Sequence, residues 1–203
     1  MLYDFDCDNF NIYMLNLPKQ CIIFDTEFTT WEGAMERGWS GPGEYEEIVQ
    51  IGSILVDTET FEEKEHLLLF VKPVKNPKLS DYFIEITGIT QGEVDQYGTT
   101  LATALKTLQE FAGNNHFYSF GGDENVIQKN CDLLGIPFPL EKSRFHDIRD
   151  TFEAFGISTH GYMSSTIPEA FDEKPKRTGH DGLNDARTML EGLRLLYKSQ
   201  RMC

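Results

Sequence analysis

The sequence lacks the features that mark membrane, secreted and zinc-binding proteins. No apolar run approaches the roughly 18–20 residues that a membrane-spanning helix needs. The N-terminus, MLYDFDCDNFNIYML, is acidic and has no basic segment of the kind that begins a secretory signal. Cys7, Cys21, Cys131 and Cys203 are scattered and form no CxxC pair, so neither a zinc site nor a disulfide framework is indicated. We therefore expect a cytoplasmic protein with reduced cysteines and no membrane partner.

Positive charge is also scarce. The chain has 18 Lys and Arg residues against 33 Asp and Glu residues, which gives a formal net charge of −15. A protein that grips a long duplex usually presents a wide basic surface, because much of its affinity comes from neutralising phosphates. If this chain contacts nucleic acid, we expect it to hold only a few nucleotides, with bound metal supplying part of the positive charge.

The sequence does contain a buried-strand pattern that ends in two acids. Residues 20–28 read QCIIFDTEF, and the apolar run at 21–24 has no helical period. Asp25 and Glu27 lie two residues apart, so both side chains leave the same face of a strand. Paired carboxylates at a buried strand end repel each other unless a cation lies between them, and Mg²⁺ prefers such oxygen ligands. The alternative is a solvated strand end with two surface acids.

The order of the remaining patterns predicts one mixed α/β domain. We place an N-terminal arm at 1–19 and a single domain at 20–203, a length that suits one core. The short TET linker makes the second and third strands an antiparallel hairpin. The alternation that follows adds parallel strands, with helices flanking the sheet. Strands are predicted at 20–26, 48–57, 61–73, 116–120 and 144–148. Helices are predicted at 123–135, 150–156, 166–174 and 182–199, with a short helix inside 79–90 that runs from a Ser80/Asp81 cap to about Gly88 and another that is capped by Thr99 or Thr100 and ends at Ala112.

Residues 29–46 form a long insertion that contains four glycines, Trp31 and Trp39. Loops longer than about 12–15 residues inside a compact domain tend to be functional or mobile. Because this loop leaves directly from the acidic strand end, it is either a lid over that end or a surface insertion whose tryptophans pack down.

Three further residues fall where a site would need them. Asp123 follows a Gly-Gly turn after the strand at 116–120 and opens a helix, a position where aspartate also serves as an N-cap. Asp185 lies at the edge of the apolar stripe of the last helix, where a carboxylate needs a partner. His180 precedes that helix on glycine-flanked backbone; such a residue is either a structural histidine or a group that exchanges a proton near neutral pH.

These residues together resemble the DEDDh 3′-to-5′ exonucleases of the ribonuclease H-like fold. The shared pattern is FDTEF at 24–28, then Asp123 after a strand, then His180 with Asp185 five residues later. The segments EIVQIG and LSDYFIEITGIT are similar to the histone-mRNA and Eri-type exonuclease subgroup and its bacterial relatives. The resemblance extends from about residue 20 to residue 198, with its motifs in the right order on the right kinds of element.

The resemblance implies a ribonuclease H-like fold and a two-metal site. It implies that Asp25, Glu27, Asp123 and Asp185 hold two Mg²⁺ or Mn²⁺ ions, and that His180 is the general base. It further implies hydrolysis of single-stranded RNA or DNA from the 3′ end, with RNA slightly favoured, and release of nucleoside 5′-monophosphates. The substrate-side candidates carried over from the family are Phe28, Thr29 and Ile89, of which Ile89 could equally be a core residue.

Several alternatives stay open at this stage. The glycines in SFGGDENV leave room for a one-residue shift of the second motif, from Asp123 to Glu124. The chain could be a regulatory or protein-binding module that keeps the exonuclease fold and works through its acidic face and its tryptophan loop. It could also be a phosphodiesterase confined to dinucleotides or other small phosphodiesters. A protein partner or a homodimer is compatible with any of these functions.

Overall fold

The computed structural model describes residue 15 and residues 17–200. Within that part of the chain, five strands form one sheet and six α-helices accompany it. The strands are β1 (Gln20–Phe28), β2 (Ile48–Asp57), β3 (Glu62–Phe70), β4 (His116–Ser119) and β5 (Phe145–Asp147). The helices are α1 (Asp81–Thr87), α2 (Gln91–Tyr97), α3 (Leu101–Ala112), α4 (Asp123–Leu134), α5 (Ile148–Glu153) and α6 (Gly182–Ser199). Short 3₁₀ turns cover Lys142–Arg144 and Ile167–Phe171.

The acidic strand β1 lies at the centre of the sheet, whose order is β3-β2-β1-β4-β5. β2 pairs antiparallel with both β1 and β3, whereas β4 pairs parallel with both β1 and β5. This arrangement confirms the predicted mixed sheet, with an antiparallel hairpin unit and parallel strands. Strand β1 is paired on both sides from Cys21 to Ile23, which covers most of its apolar run.

The two faces of β1 belong to two different cores. Ile23 packs in a cluster with Leu190 and Leu193 of α6, whereas Phe24 packs in a second cluster that includes residues of α3 and α4. Since side chains alternate along a strand, the acids that continue the Ile23 series fall on the α6 face. The fold therefore aims Asp25 and Glu27 toward the helix that carries Asp185.

Two glycines let α6 lie directly on the sheet. A Cβ atom at Gly52 of β2 would lie 2.0 Å from the Leu183 nitrogen, and one at Gly182 would lie 2.9 Å from the Asp25 carbonyl oxygen. Real Cβ atoms do not approach backbone this closely, so any side chain at Gly52 would push the first turn of α6 away from β1 and β2. The distance between Asp185 and the strand acids thus depends on a glycine in a neighbouring strand.

We expect Gly52→Ala to lower both stability and activity. Overpacking against backbone, which cannot rotate away, should cost about 3 kcal/mol and lower the thermal midpoint by about 6–12 °C. Thermal unfolding measured by circular dichroism checks the change. Gly92→Ala is the control, because a Cβ at Gly92 in α2 would meet only the Thr90 hydroxyl at 3.9 Å. A wild-type midpoint in the Gly52→Ala protein would contradict the close-approach argument.

The structure differs from the prediction in several elements. The strand predicted to Pro73 ends at Phe70, after which the chain forms only an isolated bridge between Val71 and Thr99. The helix predicted at 150–156 spans Ile148–Glu153, and the one predicted at 166–174 is a 3₁₀ turn at Ile167–Phe171. Helix α2, which is absent from the predicted elements, begins at a capping box formed by Thr90 and Glu93.

The predicted N-terminal arm lies mostly outside the described residues. Of that arm, Leu15 is buried in the cluster on the α6 face, and Leu17 packs against the same cluster. Among the helices that the structure describes, none is long and apolar enough to cross a membrane.

Candidate active site

Three of the predicted acids meet at the carboxyl end of β1. Ligand oxygens of Asp25, Glu27 and Asp185 all lie within 4.8 Å of one another. All three residues are buried, with Asp185 only 3% exposed. The strand period brings the first two together, and the docking of α6 brings the third. Oxygens at this separation can share a divalent cation.

Asp123, which opens α4, lies beside Thr26, the residue between the two acids of β1. One carboxylate oxygen accepts a hydrogen bond from the Thr26 backbone nitrogen at 3.0 Å and another from the Thr26 hydroxyl at 2.5 Å. Asp123 is the first residue of α4, and Gly122 occupies the N-cap position, so Asp123 does not cap the helix. The neighbouring Glu124 instead accepts a hydrogen bond from Asn125. This placement favours Asp123 over Glu124 as the acid of the second motif.

His180 lies beside Asp185 at the entrance to α6. Its backbone has a φ of 62°, in the left-handed region, and its backbone nitrogen donates a hydrogen bond to Asp185 Oδ2 at 3.1 Å. The side chain is exposed. The histidine is therefore tied to the acidic cluster through its main chain, while its imidazole remains accessible to a substrate or water.

The acids are electrostatically strained when no cation is bound. Burial, reinforced by the neighbouring carboxylates, raises the pKa of Asp25 well above its ordinary range. The same causes raise the pKa of Glu27 to about 9, with Asp185 as the largest charged contributor after burial. Burial raises the pKa of Asp185 to about 7 and that of Asp123 to about 6, the latter against opposing hydrogen bonds from Thr26. Four such carboxyl groups in one place favour a binding partner with high positive charge.

One atom of the cluster has no partner at all among the described residues. Asp185 Oδ1 is buried and accepts no hydrogen bond, although the other carboxylate oxygen, Oδ2, accepts one from the His180 backbone nitrogen. A buried carboxylate oxygen without a partner is costly unless something absent from the protein chain completes it. A divalent cation shared with Asp25 and Glu27 fits both the oxygen donors and the orphaned atom.

Two residues that support the site are missed by the sequence analysis. The side chain of Gln50 in β2 is buried, with 1% of its surface exposed. Its Oε1 accepts a hydrogen bond from the Gly182 backbone nitrogen at 2.7 Å, and its Nε2 donates one to Asp181 Oδ2 at 3.2 Å. It thereby fixes the start of α6 to the sheet. The Ser164 hydroxyl lies 3.5 Å from Asp185 Oδ2. Gln50 lies inside the EIVQIG segment that carried the resemblance, whereas nothing in the sequence marks Ser164.

The three substrate-side candidates lie in different environments. Phe28 is half-buried, and its ring packs edge to face against that of Trp39, with the ring centroids 5.5 Å apart. Thr29 is buried, with its hydroxyl donating to the Tyr45 carbonyl at 2.5 Å. Ile89 is 4% exposed and belongs to a small apolar cluster with residues of α1 and α2, which favours the core interpretation.

The long 29–46 loop packs onto the end of β1 through one of its tryptophans. The indole nitrogen of Trp39 donates to the Thr29 carbonyl at 3.1 Å, in addition to the ring contact with Phe28. Arg37 and Glu44 form a salt bridge within the loop. Trp39 is therefore a tryptophan that packs down onto the protein surface, as one of the two interpretations of this loop predicts.

Comparison with known proteins finds a family of exonucleases. The Exonuclease family model, RNase_T, matches residues 22–193. The human 3′-5′ exoribonuclease 1 is 28% identical over 185 residues, which cover 83% of this chain and 49% of that protein. The probable 3′-5′ exonuclease KapD of Bacillus subtilis (strain 168) is 27% identical, covering 89% of this chain and 85% of that protein. The chain thus spans about half the length of the human relative and most of the bacterial one.

Solved structures share the fold. The nuclease domain of 3′hExo, described as a DEDDh family member and bound to rAMP, superimposes with a TM-score of 0.75. The match covers 90% of this chain and 94% of that chain at 22% sequence identity. This likeness shows that the five-stranded sheet and its helices follow the arrangement of the ribonuclease H-like exonuclease domain.

Proposed function

Because the chain belongs to the Exonuclease family whose model matches residues 22–193, we propose that it is a two-metal 3′-to-5′ exonuclease. It hydrolyses phosphodiester bonds at the 3′ ends of single-stranded RNA or DNA and releases nucleoside 5′-monophosphates. The single observation that carries the proposal is the buried group of Asp25, Glu27 and Asp185, with ligand oxygens within 4.8 Å of one another.

The proposed cofactor is a pair of Mg²⁺ or Mn²⁺ ions held by the four carboxylates. Such ions, when bound, lower the pKa of a coordinated water and stabilise the charge on the leaving oxygen. Asp25, Glu27 and Asp185 form the shared ligand group, and Asp123 is held next to β1 by its hydrogen bonds from Thr26. Hard dications match an all-oxygen ligand set, which supports this choice of metal over softer ones.

The protein's own groups complete the chemistry. His180 is proposed to accept the proton of the attacking water, since its backbone lies against Asp185 and its side chain is exposed. Its main-chain bond to Asp185 holds the residue next to the cluster without occupying the ring. Gln50 keeps the first turn of α6 on the sheet, which fixes the positions of Asp185 and His180 relative to β1.

The test is an incubation of the protein with single-stranded RNA, single-stranded DNA and a dinucleotide, each labelled at the 5′ end. With Mg²⁺ or Mn²⁺ we expect a ladder of products that shorten from the 3′ end, and with EDTA we expect none. Separation on a denaturing gel measures the shortening, and the substrate that is shortened fastest identifies the substrate class. Cleavage of the dinucleotide alone would instead support the small-phosphodiester alternative.

A protein-binding module that only keeps the fold would give a different result. It would bind metal, seen as a rise in thermal midpoint on adding Mg²⁺ or Mn²⁺, yet shorten none of the three substrates. That outcome would overturn the proposed activity and leave the acidic cluster as a structural metal site.

A further inference from the structure

Three lysines near the candidate active site have no acidic partner. Lys72, Lys75 and Lys78 are all exposed, and none of them forms a salt bridge with any described residue. They fall within a seven-residue stretch, KPVKNPK, that contains no acid. In a protein with a net charge of −15, such a stretch is a local exception to the acidic surface. We call residues 72–78 the lysine segment.

The sheet register places the lysine segment at the same end of the sheet as the carboxylates. Glu27 of β1 pairs with Gln50 of β2, and Gln50 pairs with Phe70 of β3. Neighbouring strands lie about 4.8 Å apart, so the β3 backbone at Phe70 is about 10 Å from the β1 backbone at Glu27. The chain leaves β3 immediately after Phe70 and enters the lysine segment there.

The backbone of the lysine segment is fixed. The carboxylate of Glu47 accepts hydrogen bonds from the backbone nitrogens of Val74 at 2.7 Å, Lys75 at 2.9 Å and Asn76 at 2.6 Å. The Asn76 side chain donates to the Gly43 carbonyl at 2.8 Å, which joins the segment to the 29–46 loop. The lysine side chains therefore extend from an ordered main chain, so little backbone entropy opposes ligand binding.

The carboxylates near the lysine segment do not form salt bridges with its lysines. Glu47 is 2% exposed, and the three backbone donors satisfy it. Glu44 pairs with Arg37, and Glu46 pairs with Lys129 at 2.6 Å. Of the acids on the helix that follows, Asp81 and Glu85 are exposed, and neither forms a salt bridge with a lysine of the segment. The three ammonium groups are left available to an external anion.

We propose that the lysine segment binds the phosphates of the nucleic-acid strand upstream of the bond that is cut. This inference rests on the proposed exonuclease function, which puts the 3′ end at the carboxylates. With that end at Asp25 and Glu27, a strand that continues across β2 and β3 reaches the lysines within a few nucleotides. Lysine is a flexible point charge that contacts phosphate without reading sequence, so the segment holds the strand without selecting bases.

The test replaces all three lysines by glutamine in the full chain. We expect KM for a single strand of about 12 nucleotides to rise about 10-fold or more, with kcat retained. Since each phosphate contact to a single strand contributes about 0.7 to the salt dependence, the slope of log K against log salt should fall by about 2. Turnover of the p-nitrophenyl ester of thymidine 5′-monophosphate, which lacks upstream phosphates, should not change.

The matched control replaces Lys142, Lys174 and Lys198, three lysines outside the segment, by glutamine. Both triple variants remove the same charge, so an equal loss in the two would overturn the proposal in favour of a general charge effect. An unchanged KM and salt slope would overturn it as well, and so would an equal loss on the small ester.

Binding of the same strand, measured by fluorescence anisotropy, keeps the test independent of turnover. If the wild-type protein cleaves neither substrate, the exonuclease proposal fails. In that case, a loss of salt-dependent binding in the segment variant alone would still show that the segment contacts nucleic-acid phosphates, and the absence of such a loss would overturn the lysine proposal.

Discussion

Replacing Asp25 by asparagine should abolish turnover and leave the fold intact. The substitution keeps the shape of the side chain but removes one charged ligand from the group shared with Glu27 and Asp185. We expect the rate of 3′ shortening to fall by about 10³-fold or more, the scale of losing a principal electrostatic contact in a catalytic site. Initial rates on a labelled single strand, at saturating metal, measure the loss.

The same variant should be at least as stable as the wild type when metal is removed. Burial and carboxylate neighbours already disfavour the charged form of Asp25, so a neutral amide relieves repulsion. A gain of about 1 kcal/mol would raise the thermal midpoint in EDTA by about 2–4 °C. In Mg²⁺ or Mn²⁺ the order should reverse, because the wild type alone gains the full stabilisation from metal that binds only the folded state.

Glu110→Gln is the charge-matched control for this variant. Glu110 lies exposed on α3, where it pairs with Lys106 at 3.9 Å, so its loss should change neither activity nor metal-dependent stability. Unimpaired shortening by the Asp25→Asn protein would remove Asp25 from the site and with it the two-metal proposal.

The acids of β1 illustrate what a sequence can reveal about a site. Asp25 and Glu27 could be placed together because the strand period is local and the apolar run identified the strand. Their meeting with Asp185 depends on contacts that no local pattern encodes. Gln50 binds the backbone of Gly182, 132 positions later in the chain, and Gly52 allows the close approach. The identity of a glycine or glutamine in a strand does not indicate which helix will pack against it.

Helix α2 shows the opposite case, in which a local signal is present but weak. Thr90 and Glu93 form a capping box, which is visible in the sequence as T-x-x-E. The helix is only seven residues long and contains Gly92, so its own propensity is low. Tertiary contacts supply the difference: Val94 is buried, and Gln91 accepts a hydrogen bond from the Leu79 nitrogen. Such contacts lie outside any local window.

Replacing His180 by alanine should reduce kcat by about 10²–10⁴-fold, the usual range for losing a general base. The bond that ties this residue to Asp185 is made by the backbone nitrogen and survives the substitution. Metal binding should therefore be retained, and the rise in thermal midpoint with Mg²⁺ or Mn²⁺ should match that of the wild type. Single-turnover rates and thermal melts on the same protein preparation measure the two properties separately.

The backbone conformation of His180 requires its own control. Because its φ is 62°, alanine there carries a strain that asparagine tolerates better. Asparagine offers no imidazole, so His180→Asn should be as inactive as His180→Ala while melting closer to the wild type. If either variant lost metal affinity as much as activity, His180 would be a ligand or a structural prop instead of the base. If His180→Asn kept the rate that His180→Ala loses, the defect would lie in the turn that positions Asp185, because a residue without an imidazole cannot replace a general base but can rebuild a left-handed turn.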